Sequence, residues 1–383
     1  RIWIYIIIYI AIYMKIVDAK TYILDIPVDT IKDSQYTVNK INLIVLKLST
    51  DDGIDGYGYN WNTASGMDLP YKMFNKYIKN VIIGEDPFMR LKIMDKITNV
   101  NNFGWDPRLG INGLGVYILS MVDMALWDIL CKKMDMPLYK VLGAKSDIVE
   151  AYNTHGGWLS WPLDKLVENA MELKNEGYNS IKIKVGSKNT DDDYERIKAV
   201  RNAVGNKMKI MIDANTKWDL ETAIMMSNKL YEFNIYWLEE PLNSLDVRSH
   251  KILREKSRIP IALGESLNNE YIFRDYIINN AVDIIQVDAT KVSGITEWLK
   301  IANLAEAFGI NVYPHTNIQQ PLHAQLVLSV KNGRMVEHVP WLLDVWKYPL
   351  KPENGYFHLN NIKGAGTEIK ETAIEKYSVK KLL

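Results

Sequence analysis

One cysteine, Cys131, stands among 383 residues. A lone thiol excludes an intrachain disulfide and fits a reducing compartment, the cytoplasm. Within ALWDILCKK it reads as a core helical thiol rather than a nucleophile. An excess of either charge is also missing: Lys+Arg and Asp+Glu number 46 each. Nothing in that balance calls for nucleic acid or an anionic membrane as partner. No apolar run reaches the roughly 20 residues that a membrane-spanning helix takes. The N-terminal run RIWIYIIIYIAIY, residues 1–13, is too short to span and carries no small-residue cleavage site. It reads as an upstream extension, with the native chain expected to start at Met14. No G-x-G-x-x-G follows any strand candidate, which argues against a dinucleotide site.

What is present is an ordinary soluble composition, 48% hydrophobic and 24% charged, long enough for two domains. Residues 14–135 read as an α+β domain. Strands are expected in MKIVDAKTYILDIPV and NLIVLKLSTDDGIDGYGYN, and mainly helix over 66–135. A rhythm then begins. Strand candidates fall at 149–154, 180–186, 209–215, 235–241, 260–266, 283–289, 310–316 and 335–339, with amphipathic helical stretches between them. Strands alternating with helices at this density predict a closed (β/α)8-type TIM barrel over 136–340. An open doubly wound sheet is the alternative. The turn-rich remainder, 341–383, is expected to pack back on the first domain.

The ends of these strands hold the chemistry. IKIKVG places Ile181, Ile183 and Val185 on one face and Lys182 and Lys184 on the other. Ammonium groups inside a covered parallel sheet are costly unless something there compensates them; solvated lysines on an edge strand are the plain alternative. The following strand ends carry Asp213, Glu239 with Glu240, Glu265, Asp288, His315 and Glu337. Active sites of barrels lie at the carboxyl ends of the strands, so these groups should converge. Asp213, Glu239 and Glu265 sit at successive spacings of 26 residues. Three carboxylates held together repel one another, and a hard divalent cation such as Mg²⁺ resolves the repulsion.

With these residues in view, the chain resembles the enolase superfamily, in its mandelate racemase-like subgroup, over 14–383. MALWDILCKKMDMPLYKVLG is similar to that family's entry into the barrel. IKIKVG is similar to its K-x-K motif, IDAN, WLEEP and ALGES to its ligand motifs, and DATKVSGITEW followed by VYPH to its Asp/His dyad. The resemblance implies a modified (β/α)7β barrel under an N-terminal α+β capping domain. It implies one Mg²⁺ on Asp213, Glu239 and Glu265, with Glu240 not a ligand. It makes Lys184 the base on one face of the substrate, supported by Lys182, and His315 the base on the other, oriented by Asp288. Glu337 becomes a protonated hydrogen-bond donor. Lys184 would need a lowered pKa, supplied by Lys182 and the metal. Ser293 replaces the first of two usual glycines, and DGIDGYGYN lacks an acidic residue that often follows.

The implied chemistry starts with removal of a proton α to a carboxylate. With a β-hydroxyl to expel, the outcome is dehydration of an acid sugar, an aldonate such as gluconate or galactonate or an aldarate, to a 2-keto-3-deoxy acid. Without one, the same two bases give a racemase or epimerase of a 2-hydroxy acid. A non-catalytic, metal-stabilised sugar-binding barrel is the reading from another class. Substrate contacts are expected from His155, Trp158, Asn215 and Lys291, and capping loops near 26–40 and 58–66. Each has a plainer alternative as a turn or packing residue. His338 should face away from the barrel axis if Glu337 faces it. The expected partner is a small-molecule carboxylate, and the resemblance implies a homo-oligomer.

Overall fold

The computed structural model describes residues 14–63, 65–98, 113–316 and 318–379. The apolar run at 1–13 lies outside them. The first domain is built on a three-stranded antiparallel sheet: β1 (Ile16–Lys32), β2 (Thr37–Thr50) and β3 (Asp55–Asn62), in that order. These segments are rich in β-branched and aromatic residues, which suit a half-buried pleated surface. Short helical segments follow between Asp68 and Thr98, then the long helix α1 (Leu114–Lys133). By length and composition α1 could cross a bilayer, but most of it is buried within the protein. It lies across the sheet at close range because β3 carries glycines there. A Cβ at Gly58 would sit 1.8 Å from the Met121 carbonyl oxygen, and one at Gly56 2.3 Å from that of Ala125.

The barrel follows. Its strands are β4 (Ile148–Asn153), β5 (Ser180–Lys184), β6 (Lys209–Asp213), β7 (Ile235–Glu239), β8 (Ile261–Leu263), β9 (Ile284–Ile285), β10 (Asn311–Val312) and β11 (Val336–His338). They pair in parallel in chain order from β4 to β10, and β11 pairs with β4. Closure between β10 and β11 runs through Val312, whose N–H donates to the Asn332 carbonyl at 2.9 Å and whose carbonyl accepts from Arg334 N–H at 3.1 Å. One helix separates each strand from the next: α2 (Leu163–Asn175), α3 (Thr190–Val204), α4 (Leu220–Leu230), α5 (Val247–Lys256), α6 (Glu270–Ile278), α7 (Ile295–Ala307) and α8 (Gln320–Leu328). Asn189, Asp219, Asp246 and Asn269 cap α3 to α6 by accepting from first-turn amides. This is the (β/α)7β arrangement. Strand β12 (Tyr356–His358) adds antiparallel to the outer side of β4.

Most strands are shorter than the sequence leads one to expect, β9 and β10 most of all. The stretches 283–289 and 310–316 each contribute two residues to the ladder, at β9 and β10. Single bonds continue beyond them, from Gln286 N–H to Leu263 O at 2.9 Å and from Tyr313 N–H to Ile285 O at 3.0 Å. The chain leaves the ladder where it must aim Asp288 and His315 at the mouth.

Inside the barrel Tyr152, Met211, Trp237, Ala262, Ile284, Tyr313 and Met335 form an apolar plug. The polar groups sit above it, so they have a water-excluding floor. The segment after the barrel returns to the first domain. Asp128 on α1 accepts from Tyr57 N–H at 3.0 Å and Ala365 N–H at 2.8 Å and pairs with Lys132 at 2.8 Å. Helix α9 (Glu371–Tyr377) lies by β1, and Val379 N–H donates to Ile23 O at 2.9 Å.

The close α1–β3 approach yields a test. Gly58→Ala should destabilise the protein by about 2–3 kcal/mol or more, as overpacking against backbone does, while Gly53→Ala, whose Cβ would meet nothing within 4 Å, should cost less. Denaturant unfolding of both variants measures the difference.

Candidate active site

The hairpin joining β1 and β2 turns over the barrel mouth. Its turn is set by Asp33, whose Oδ1 accepts from Gln35 N–H at 2.7 Å and Tyr36 N–H at 2.6 Å. Ser34 Oγ donates to the Ala214 carbonyl at 3.0 Å, and Gln35 reaches Asn215 O and Thr216 Oγ1. The tip of the first domain is thereby fastened to the end of β6. Between them lies a cavity of about 770 Å³. Its walls include Gln35, Trp61, Tyr117, Lys184, Lys291 and His315.

Strand alternation brings Lys182 and Lys184 to the same interior face, both buried. Lys182 Nζ lies 2.6 Å from Glu239 Oε1 and 3.0 Å from Glu337 Oε1. Lys184 Nζ lies 2.5 Å from Asp213 Oδ2. Asp213, Glu239 and Glu265, from the ends of β6, β7 and β8, offer carboxylate oxygens all within 4.8 Å of one another. Neighbours hold them. Asn215, in the left-handed region at φ 44°, donates its N–H to Asp213 Oδ1 at 2.8 Å. Trp237 Nε1 and Gln286 Nε2 donate to Glu239 Oε2 at 3.0 and 2.6 Å.

Across the mouth, His315 Nδ1 meets Asp288 Oδ2 at 2.8 Å, and its Nε2 lies 3.5 Å from Glu265 Oε2. Asp288 is itself fixed: its Oδ1 accepts from Thr290 N–H at 2.7 Å and Thr290 Oγ1 at 2.8 Å, and Gln319 Nε2 donates to Oδ2 at 3.2 Å. Glu337 accepts from Thr154 Oγ1 at 2.6 Å and from Thr316 N–H at 3.1 Å, besides Lys182. These donors fix the carboxyl of Glu337 at the mouth, where the sequence leads one to expect a protonated donor.

Charge dictates the rest. Burial works against charge on His315, but the carboxylates of Glu265 and Asp288 outweigh it and push its pKa up to about 10. Burial likewise opposes ionisation of Asp288, but its bond to His315 prevails and brings it down to about 2. Glu239 is pushed up to about 7, by burial first and then by Asp213 and Glu265 against the opposing pull of Lys182. Burial pushes Glu240, on a backbone at φ 40°, well above the usual carboxylate range. Lys184 departs from expectation. Burial and Lys182 lower its pKa, yet Asp213 in contact more than offsets them, so it stands raised. Carboxyl groups outnumber the cations here: Asp213, Glu239, Glu265, Glu337 and Asp288 face Lys182, Lys184 and His315. The hard oxygen triad of Asp213, Glu239 and Glu265 fits one divalent cation.

The second-tier residues divide. Trp158, Asn215 and Lys291 line the cavity; His155 is not among its walls. It lies edge-on to Trp158, Trp161 and Trp341, with centroids 6.3–6.5 Å away, on the side of a minute pocket behind the sheet. The turn Gly156–Gly157 carries the chain over β5, and Trp158 rather than His155 reaches the mouth. His338 faces outward, its Nδ1 2.7 Å from Tyr178 Oη. Gln286, Thr290, Gln319 and Trp61 escape sequence reasoning. Gln286 alone had a signal, lying two residues before Asp288 on the same side of the chain.

A barrel whose strand ends assemble a carboxylate triad, two lysines and an Asp/His pair defines a class, enzymes that handle a carboxylate substrate beside a metal. The chain belongs to the mandelate racemase/muconate lactonizing enzyme family within the enolase superfamily. Residues 16–143 match the mandelate racemase/muconate lactonizing enzyme N-terminal domain, and 165–373 the enolase C-terminal domain-like family. It is 35% identical to the L-talarate/galactarate dehydratase of Salmonella typhimurium, over 88% of this chain and 83% of that protein. It is 31% identical to the arabinonate dehydratase of Saccharolobus solfataricus, over 89% and 91%. The solved structure of the Salmonella enzyme liganded with Mg and L-lyxarohydroxamate superposes with a TM-score of 0.89 at 32% identity, covering 96% of this chain and 93% of that one.

The triad makes a direct prediction. Calorimetric titration with Mg²⁺ should show one ion per chain, and Glu265→Gln should weaken it by at least about tenfold, since even outer-shell changes cost 10–100-fold. Unchanged binding would remove Glu265 from the ligand set.

Proposed function

We propose that this chain is a Mg²⁺-dependent hydro-lyase that dehydrates an acid sugar to a 2-keto-3-deoxy acid. One observation carries the reading: Lys184 and His315 stand on opposite sides of the barrel mouth with the carboxylate triad between them. Asp213, Glu239 and Glu265 would hold the ion, whose contribution is Lewis-acid stabilisation of negative charge on the substrate carboxylate.

The residues of the chain do the rest. Lys182 donates toward the carboxylate oxygens, where charge grows as the α-proton leaves. Lys184 takes that proton. A cation held by Asp213 would weaken that carboxylate's hold on the Lys184 ammonium, and Lys182 beside it favours the neutral amine. His315, held protonated by Asp288 and Glu265, gives a proton to the β-hydroxyl. The C–H and C–O bonds break, a C=C bond forms, and water leaves; the enol tautomerises to the keto acid. Asp288 fixes the imidazole, and Thr290 and Gln319 fix Asp288. The relatives named as dehydratases support this fate of the proton.

The test is incubation with Mg²⁺ and a panel of aldonates and aldarates in D₂O, with assay for 2-keto-3-deoxy product. Product is expected from at least one acid. His315→Asn should lower its formation by about 10²- to 10⁴-fold, the usual worth of a general acid. Lys184→Met should do so comparably and should also stop deuterium entering from its face. Deuterium exchange without loss of water would instead establish an epimerase. Full activity in both variants would remove Lys184 and His315 from the catalytic roles, and neither product nor exchange with any acid would leave only a sugar-binding barrel.

A further inference from the structure

The stretch from Asp288 to Thr296 leads from β9 into α7 and carries the partner of His315. From the barrel side Gln319 donates to Asp288, and His323 Nε2 accepts from Ala289 N–H at 3.1 Å. The first domain holds the same stretch at Thr290, Lys291 and Thr296. Lys291 Nζ donates to the Trp61 carbonyl at 3.3 Å. Asp123 on α1 accepts from Thr296 N–H at 2.9 Å and from Thr296 Oγ1 at 2.6 Å. Between these contacts, Asn60 on β3 donates from Nδ2 to the Thr290 carbonyl at 2.7 Å and to Ser120 Oγ at 3.0 Å.

The Asn60 contact leads furthest into the site. Its side chain is fully buried. A carboxamide offers two N–H donors and an acceptor oxygen, and here all are used, because Oδ1 accepts from Trp61 N–H at 2.7 Å. Thr290, held by its carbonyl, turns its own N–H and Oγ1 to Asp288 Oδ1 at 2.7 and 2.8 Å. The other oxygen of Asp288 meets His315 Nδ1 at 2.8 Å. A continuous run of buried hydrogen-bonded groups thus joins the first domain to the imidazole. Lys184, on β5 against Asp213, stands outside that run. We propose that Asn60 is a positioning residue for the Asp288–His315 pair: through the Thr290 carbonyl, the first domain sets the aim of the imidazole at the substrate. The inference rests on the hydro-lyase reading above, in which Lys184 takes one proton and His315 gives another.

The experiment uses an acid that the wild-type protein dehydrates with Mg²⁺ in D₂O, and follows product and α-deuterium exchange together. Asn60→Leu removes both donors at similar volume. It should lower product formation by about 10- to 100-fold, as a small misplacement of a reacting group does, and leave exchange at the Lys184 face within about threefold. The ratio of exchange to product therefore rises. Ser120→Ala, which leaves the bond to Thr290 in place, should keep the wild-type ratio. Should the leucine variant fail to fold, Asn60→Ser removes the amide without adding bulk and is expected to raise the ratio likewise. Product and exchange falling in step, or neither changing, overturns the proposal. Should no acid react, NMR of ¹⁵N-histidine-labelled protein separates the two readings, with the His315 ring signals assigned by their loss in His315→Asn. A His315 Nδ1–H signal shifted or lost in folded Asn60→Leu, and kept in Ser120→Ala, retains the positioning role and discards the chemistry; an unmoved signal sinks the positioning role as well.

Discussion

The mutual neutralisation of like charges at the barrel mouth is the constraint on which the rest of the structure depends. Asp213, Glu239 and Glu265 share a space where their oxygens approach within 4.8 Å. Such a cluster is unstable by itself. Lys182 and Lys184 sit against it, which in turn accounts for two buried ammonium groups on one short strand. The carboxylate oxygens still converge on one point, and a divalent ion suits that point. Each group is thus the condition for burying its neighbours.

The fold converts that balance into direction. The plug of Trp237, Tyr152 and Tyr313 keeps water from reaching the groups from below, where charges interact more strongly than in water. The strand ends place the lysines on one wall and the Asp288–His315 pair on the other. Above, the hairpin turn at Asp33 is fastened to the end of β6 and Trp61 stacks near His315, with ring centroids 6.2 Å apart. The first domain and the barrel strand ends therefore wall one cavity between them.

Much of this was legible in the chain. The period of strands and helices announced a barrel, and the alternation in IKIKVG announced two inward lysines, because both depend on local backbone geometry. The acidic strand ends were legible for the same reason. Other features were not. His155 occupies a strand end yet turns behind the sheet, since a glycine pair redirects the chain before Trp158. Gln319 supports Asp288 from a helix start 31 residues away, a distance no local pattern spans. Lys184 was expected to have a lowered pKa, and its contact with Asp213 reverses that while the two are paired.

By itself the sequence determined which residue types stand at which strand ends, and hence the kind of chemistry on offer. It did so because a strand's side-chain period and a barrel's polarity leave little freedom. Tertiary structure alone decided which of those groups touch. The pairing of Lys184 with Asp213, the exclusion of His155 and the hold of Asn60 on Thr290 all follow from packing between elements distant in the chain, where small differences in position decide whether two groups meet.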